Sequence, residues 1–236
     1  MTAKQNGEKM TVKFSEEGMS KTDYSKEIER VIEILRDRRV KLKRGMSDKQ
    51  IEQAEQMYGI TFPEDLRAFY QAVVPVGERF YDWTDLSPEN VWHIKKMMAH
   101  PIRISLWDIE ANGWHYSSLW MPQWGERPKN FDKRRAIAAK HLRAAPKIIP
   151  IYGDNFLPEF PNEAGNPVFG FEMWCESHCH GETLWLYFER EWARKKRGPL
   201  TIIDYTIVKR IPHWYEAIER GGWPIHGWEP EGVENE

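Results

Sequence analysis

Residues 47–65, SDKQIEQAEQMYGITFPED, decide how the first part of the chain folds. Ser47 and Gln50 have the spacing of a capping box, in which each side chain bonds the other residue's backbone N–H at a helix start. Gly59 can end that helix in the left-handed conformation, which carries no steric penalty for glycine. Pro63 suits the first position of a following helix, because an N–H at that position would have no helical partner. The stretch therefore predicts a helical hairpin.

Apolar residues at helical spacing extend this pattern on both sides. A preceding helix that begins near Tyr24 is predicted by a stripe at i, i+3, i+4 and i+7, formed by Ile28, Val31, Ile32 and Leu35. Ser87 and Pro88 are typical of the N-cap and first turn of a further helix. Asn130 can cap another helix, which we expect to run to about Arg143.

A change of character near residue 102 predicts strands in the middle of the chain. Ile102, Ile104 and Leu106 alternate with polar residues, as they do in a half-buried strand. Asn112-Gly113 is typical of a two-residue hairpin turn, with residues 114–120 as the return strand. Further strands are predicted at 80–83, 147–152, 168–174 and 201–208, with a turn-rich loop at 158–167.

Two more helices are predicted near the end of the sequence, over residues 183–197 and 212–219. Alternation at Trp185 and Tyr187 also fits a strand, but the basic residues at 194–197 favour a helix because cations stabilise a helix C-terminus. Helices first, a sheet in the middle and helices last predict the α+β class. We expect a flexible segment over 1–22, one domain over 23–228 and an acidic tail over 229–236.

Composition excludes several functional classes. The chain has 236 residues with a net charge of −2, which does not resemble the basic footprint of a nucleic-acid binder. A basic cluster at 133–140 is accordingly expected to be a solvated helix face rather than an RNA site. Two cysteines four residues apart are not a disulfide framework, so a reducing compartment fits. With neither an apolar signal region nor an apolar run long enough to cross a bilayer, the sequence predicts a cytoplasmic protein without a membrane partner.

Several of these segments together resemble the SUKH superfamily, which includes a yeast cell-wall-synthesis regulator and many bacterial immunity proteins. The helical hairpin at 47–65 resembles the opening signature of that superfamily. Trp-rich residues at 108–128, the strand-like stretches 145–152 and 163–169, and residues 211–214 are similar to a bacterial subgroup, in the same order over about 47–220. Residues 172–181, EMWCESHCHG, depart from the Gln-Thr-Asp segment and tyrosine-rich strand of many relatives.

The resemblance implies a fold and a mode of action. The implied fold is a mixed, mostly antiparallel β-sheet with helices packed against it. The implied action is protein binding without catalysis, and for many bacterial members the partner is a toxin, often a nuclease. Toxin immunity is therefore the expected role, and a regulatory or scaffold module with an endogenous partner is the alternative.

Five residues are candidate contacts for such a partner. Trp120 and Trp124 flank a turn-like Pro-Gln segment, and exposed Trp is enriched at binding hot spots, although Trp is also a main core former. Asp154, Glu159 and Glu163 lie on a loop before a predicted strand. They could steer a cationic nuclease, because charge complementarity speeds association, or could simply keep the loop soluble.

The segment with Cys175, His178, Cys179 and His180 is the sharpest candidate for chemistry, because all four residue types bind zinc. Their spacing is too compressed for a standard zinc site, and alternate residues of a strand would face opposite ways. A polar loop with incidental thiols is the interpretation we favour. We therefore predict no metal, no cofactor and no catalytic residue, with a zinc-dependent enzyme as a further alternative.

Overall fold

The computed structural model of the chain describes residues 23–110, 120–171, 177–194 and 202–221. The expected flexible segment at 1–22, the hairpin at Asn112-Gly113 with most of its return strand, Cys175 and the acidic tail lie outside these ranges. Within them, no helix is long and apolar enough to cross a membrane.

The described residues form eight α-helices and six strands. In chain order they are α1 Ser25–Asp37, β1 Lys41–Arg44, α2 Asp48–Tyr58, α3 Glu64–Ala72, β2 Val73–Val76, α4 Pro88–Met98, α5 His100–Glu110, α6 Phe131–Ala144, β3 Ile148–Tyr152, β4 Asn155–Pro158, β5 Val168–Phe171, β6 Ser177–Gly181, α7 Leu184–Trp192 and α8 Trp214–Gly221. A 3₁₀ turn, Pro122–Trp124, precedes α6.

The predicted helical hairpin is confirmed in its capping chemistry. Both halves of the capping box at Ser47 and Gln50 are present, and Gly59 ends α2 with a φ of 63°. Pro63 stands one residue earlier than predicted, at the N-cap of α3. The predicted caps Ser87 and Asn130 each accept a backbone N–H at the start of α4 and α6, and Thr183 does the same for α7.

Two antiparallel sheets complete the predicted α+β class. The smaller sheet pairs β1 with β2, and the larger one has the order β3-β4-β5-β6. Each neighbouring pair in the larger sheet is antiparallel, so the chain runs through it as a meander. The implied sheet with helices packed against it is thus confirmed, and all described strand pairs are antiparallel.

The larger sheet is buried on both faces by separate groups of apolar side chains. We call the group that includes Ile149, Leu157 and Val168 the first cluster; it contains residues of α1, α2, α3, α4 and α7. The second cluster includes Phe156 and Phe169 with residues of α5, α6 and α8. Since neighbouring residues of a strand point to opposite faces, adjacent side chains of β4 and β5 enter different clusters.

The strand predicted from Ile102 is wrong, because these residues belong to α5. The buried positions there are Pro101, Ile104, Ser105 and Ile109, which is helical spacing. Ile102 and Leu106, four residues apart, share one face of α5 and pack against the second cluster, whereas Ile104 points to a different side of the helix.

Two other predicted strands are also wrong. At 80–83, Phe80 makes only isolated bridges, so this segment is not part of a strand ladder. The Trp83 indole N–H donates to Tyr70 Oη at 3.0 Å. In the described part of 201–208, the Asp204 side chain accepts from Thr206 N at 3.0 Å and closes a local turn. Such side-chain bonds compete with strand pairing. Strands β1, β2, β4 and β6 were not predicted.

A buried ion pair fixes the end of the larger sheet to α7. Arg190 donates two hydrogen bonds to the carboxylate of Glu182, at 2.8 and 2.9 Å, and Asp204 N donates a third at 2.8 Å. Burial acts to raise the pKa of Glu182, but the hydrogen bonds and the charge of Arg190 outweigh it and lower the pKa of that carboxyl. The pair therefore joins β6, α7 and the segment that leads to α8.

Replacing Glu182 by Gln should lower the free energy of unfolding by about 2–4 kcal/mol, because it removes the negative charge that the buried guanidinium of Arg190 pairs with at 2.8 Å. Urea denaturation at pH 7 measures the change. The control is E33Q, which removes an exposed carboxylate 3.6 Å from Arg30 and should cost under about 0.5 kcal/mol. Since the folded pKa of Glu182 is depressed, the gap between wild type and E182Q should close as the pH falls below the ordinary value of 4.5. A gap that is unchanged at low pH would contradict this assignment.

Candidate functional site

The two predicted contact tryptophans pack against each other and against α6. Trp124 is only 6% exposed, and its ring stacks on His141 with centroids 5.6 Å apart. Trp120 meets Trp124 edge to face at 5.3 Å and donates its indole N–H to Gly125 O at 2.8 Å. Trp124 thus belongs to the second cluster, and only the half-buried Trp120 has surface to offer a partner.

The three predicted acidic contacts lie at opposite ends of β4. Asp154 occupies the turn between β3 and β4, where it pairs with Arg79 at 3.0 Å. Glu159 and Glu163 follow the other end of that strand. The structure therefore brings Glu159 and Glu163 onto one loop and leaves Asp154 apart from them.

The side chain of Glu159 stabilises that loop through hydrogen bonds to the backbone of two other segments. Its two carboxylate oxygens accept backbone N–H groups from Thr61 at 3.3 Å and Lys147 at 3.2 Å. These bonds tie the loop to the segment between α2 and α3 and to the start of β3. Glu163, by contrast, has a side chain that is 60% exposed, and it pairs with Lys209 at 2.7 Å.

Residues 159–165 form what we call the pinned loop, because buried polar groups hold it at both ends. The amide of Asn166, which is fully buried, donates to Pro158 O at 2.9 Å and to Pro161 O at 2.8 Å. At the far end, Gly165 N donates to Asp65 Oδ2 at 2.8 Å. Gly165 has a φ of 84°, a conformation that favours glycine. Hydrogen bonds from buried polar groups thus hold the backbone of the pinned loop.

Phe160, the second residue of the pinned loop, has 57% of its surface exposed. It borders an open cleft of about 550 Å³ whose other wall is the end of α2 and the residues after it. The remaining lining residues are Glu55, Gln56, Gly59, Ile60, Thr61, Glu159 and Asn162. Sequence reasoning treated this stretch as a turn-rich loop and missed Phe160; the available signal was an aromatic residue between prolines in a polar loop.

Residues 177–181 of the Cys/His segment form strand β6 and not the polar loop we favoured, and Cys175 lies outside the described residues. Cys179 faces the second cluster, where burial raises the pKa of its thiol to about 12 and the S–H donates to Gly181 O at 3.3 Å. His178 and His180 point to the opposite face, with ring centroids 4.2 Å apart. Cys179 therefore shares no site with these histidines. In the described ranges, no three His, Cys, Asp or Glu side chains are grouped as they would be around a metal ion.

Comparisons with family models, curated proteins and solved structures give no match to this chain. The resemblance to the SUKH superfamily thus rests on the sequence motifs between residues 47 and 220.

Replacing Asp65 by Ala should lower the free energy of unfolding by about 2–4 kcal/mol, because two buried N–H groups lose their acceptor. These donors are Gly165 N and Leu66 N, at 2.8 and 2.9 Å from the carboxylate. The same variant should speed amide hydrogen exchange in the pinned loop. E52A, an exposed change on α2, is the control and should stay within about 0.5 kcal/mol of wild type. Unchanged exchange at Gly165 would show that Asp65 does not hold the loop.

The buried thiol of Cys179 should resist alkylation in the folded protein, because a thiol with a raised pKa in an apolar cluster presents almost no thiolate. In a Cys175→Ser variant, iodoacetamide labelling should be at least about a hundredfold slower at pH 7.5 than in concentrated urea. Labelling at equal rates in the two conditions would contradict the placement of Cys179 in the second cluster.

Proposed function

We propose that this chain is a non-catalytic protein-binding domain whose contact surface centres on Phe160 and the pinned loop. The observation that carries the proposal is an exposed aromatic side chain on a backbone that buried polar groups hold in place. Large aromatic residues account for much of the energy of protein interfaces.

A fixed loop makes such a contact effective. Ordering a flexible loop on binding costs conformational free energy, and a loop that is already ordered avoids this cost. The bonds of Asn166, Asp65 and Glu159 supply the order here. The cleft beside Phe160 adds a concave surface into which a partner's side chain can insert.

The charges around the loop suit a polypeptide partner with basic groups. Glu163 presents an exposed carboxylate, and its pairing with Lys209 at a surface position is worth little. A basic side chain of a partner could therefore compete for it, which is consistent with the expected cationic nuclease. Asp154 and Trp120 lie outside the surface we propose.

Immunity against a toxin is the biological role we favour, on the strength of the resemblance to the SUKH superfamily, with the chain acting in the cytoplasm. A regulatory module with an endogenous partner uses the same surface. Genome neighbourhood separates the two, because an immunity gene is expected beside the gene of a large toxin.

The test is affinity capture from lysate of the source cells, followed by a binding measurement with the purified partner. Phe160→Ala should weaken the affinity by about tenfold or more, as truncation of a hot-spot aromatic does. The matched control is F131A, an exposed Phe at the start of α6, which should leave the affinity within about threefold. Circular dichroism should show both variants folded. Equal affinity of F160A and wild type, or turnover of a substrate with no polypeptide bound, would overturn the proposal.

A further inference from the structure

A polar patch interrupts the apolar face of the larger sheet beneath α7. Asn155 on β4 pairs with Gly170 on β5, and Gly170 pairs with His178 on β6, so these three residues form one row across the sheet. His180 lies two residues farther along β6 on the same face. Nearly all other side chains on this face are apolar members of the first cluster.

The missing side chain of Gly170 leaves room for two polar groups, the ring of His180 and the amide of Asn155, to come close together in this row. A Cβ at that position would lie 2.4 Å from His180 Nε2 and 3.2 Å from Asn155 Oδ1. Any larger residue would therefore displace the imidazole. The glycine places a ring nitrogen and an amide oxygen over the same point of the backbone.

Both of these atoms are buried and have no hydrogen-bond partner among the described residues. Asn155 is 8% exposed; its Nδ2 donates to Tyr187 Oη at 3.0 Å, and its Oδ1 has no hydrogen bond there. His180 Nδ1 lies 3.3 Å from Glu191 Oε1, and Nε2 is buried with no described partner.

The patch adjoins a cavity of about 240 Å³ between the sheet and α7. Its lining residues are Arg38, Tyr152, Asn155, Tyr187, Glu191 and Trp192. Tyr152 and Trp192 form an aromatic wall, with ring centroids 4.7 Å apart at 82°. The outer side of Tyr152 already attracts a cation, because the Arg79 guanidinium lies 5.0 Å from its centroid, with Asp154 as counterion.

We propose that this cavity binds an organic cation, an amine or a guanidine. A carboxylate, the unpartnered Asn155 Oδ1 and an aromatic wall line this cavity, and such groups recognise N–H donors with a positive charge. Arg38 stands at the rim with its Nε–H donated to Trp192 O at 2.6 Å. The positive charge of Arg38 repels a cationic ligand. Removing that charge should therefore strengthen the binding of a cation and weaken the binding of an anion.

The ligand has two possible sources with the same chemistry, a free small amine and a basic side chain of a polypeptide. The cavity begins at Asn155, and the pinned loop follows Pro158 at the other end of the same strand. Binding in the cavity is therefore independent of the function proposed for Phe160.

Titration with methylguanidinium, agmatine and an arginine-containing tetrapeptide tests the proposal, with the ¹⁵N resonances of the His180 ring and isothermal calorimetry as readouts. We expect saturable binding of methylguanidinium or agmatine with a Kd on the order of 1 mM or below. E191Q should weaken binding by about tenfold, and R38Q should strengthen it severalfold. E52Q, an exposed acid on α2, is the matched control and should leave the Kd unchanged.

The opposite order, with R38Q weakening and E191Q strengthening binding, would overturn the proposal in favour of an anionic ligand. Absence of saturation for all three probes at tens of millimolar would also overturn it. Tighter binding of agmatine than of the tetrapeptide would assign the site to a free amine, and the reverse would assign it to a polypeptide side chain. Because F160A leaves the cavity intact, failure here and failure of the proposed interface are distinguishable.

Discussion

One hydrogen bond links the local structure of the helical hairpin to the proposed contact surface. Gly165 N donates to the buried carboxylate of Asp65 in the first turn of α3. Burial raises the pKa of this acid, and the N–H groups of Gly165 and Leu66 oppose that shift by stabilising its charged form. A buried charge is tolerated only when it is hydrogen-bonded in this way. The position of the pinned loop therefore depends on the hairpin that carries Asp65.

Because both faces of the larger sheet are buried, only a few positions on it can hold polar side chains. Both faces contribute to apolar clusters, so polar groups on the sheet are confined to its ends and to the row through Gly170. One end bears the pinned loop, and the other end leads to the cavity beneath α7. The ion pair between Glu182 and Arg190 joins β6 to α7 next to Gly181, which pairs with Val168 at the end nearer the pinned loop.

Local signals predicted local structure well. Ser47, Gln50 and Gly59 set the bounds of α2 through bonds within a few residues, which a sequence displays directly. Residues 102–106 were misassigned because their apolar spacing fits a strand and a helix, and the choice depends on packing against α6. Strand β6 was missed because its polar histidines do not show the apolar pattern of a buried strand, and α7 packs against the strand only in the folded chain.

The candidate site was predictable only in part. Glu159 and Glu163 were named from their loop, and the structure gives the first an internal role and leaves the second exposed. Trp124 was named for its turn, yet its ring is covered by α6. Phe160 was not named, because the exposure of one aromatic residue depends on which elements surround it. Burial is a property of the tertiary structure, and residue type indicates it only on average.

Site-specific photocrosslinking tests the central claim most directly. A photoreactive phenylalanine analogue would be placed at position 160 in one sample and at position 131 in the other, both exposed in the structure. We expect irradiation in the source cells to link position 160 to a polypeptide partner and to give no such product at position 131. A partner linked from position 131 and not from position 160 would contradict it.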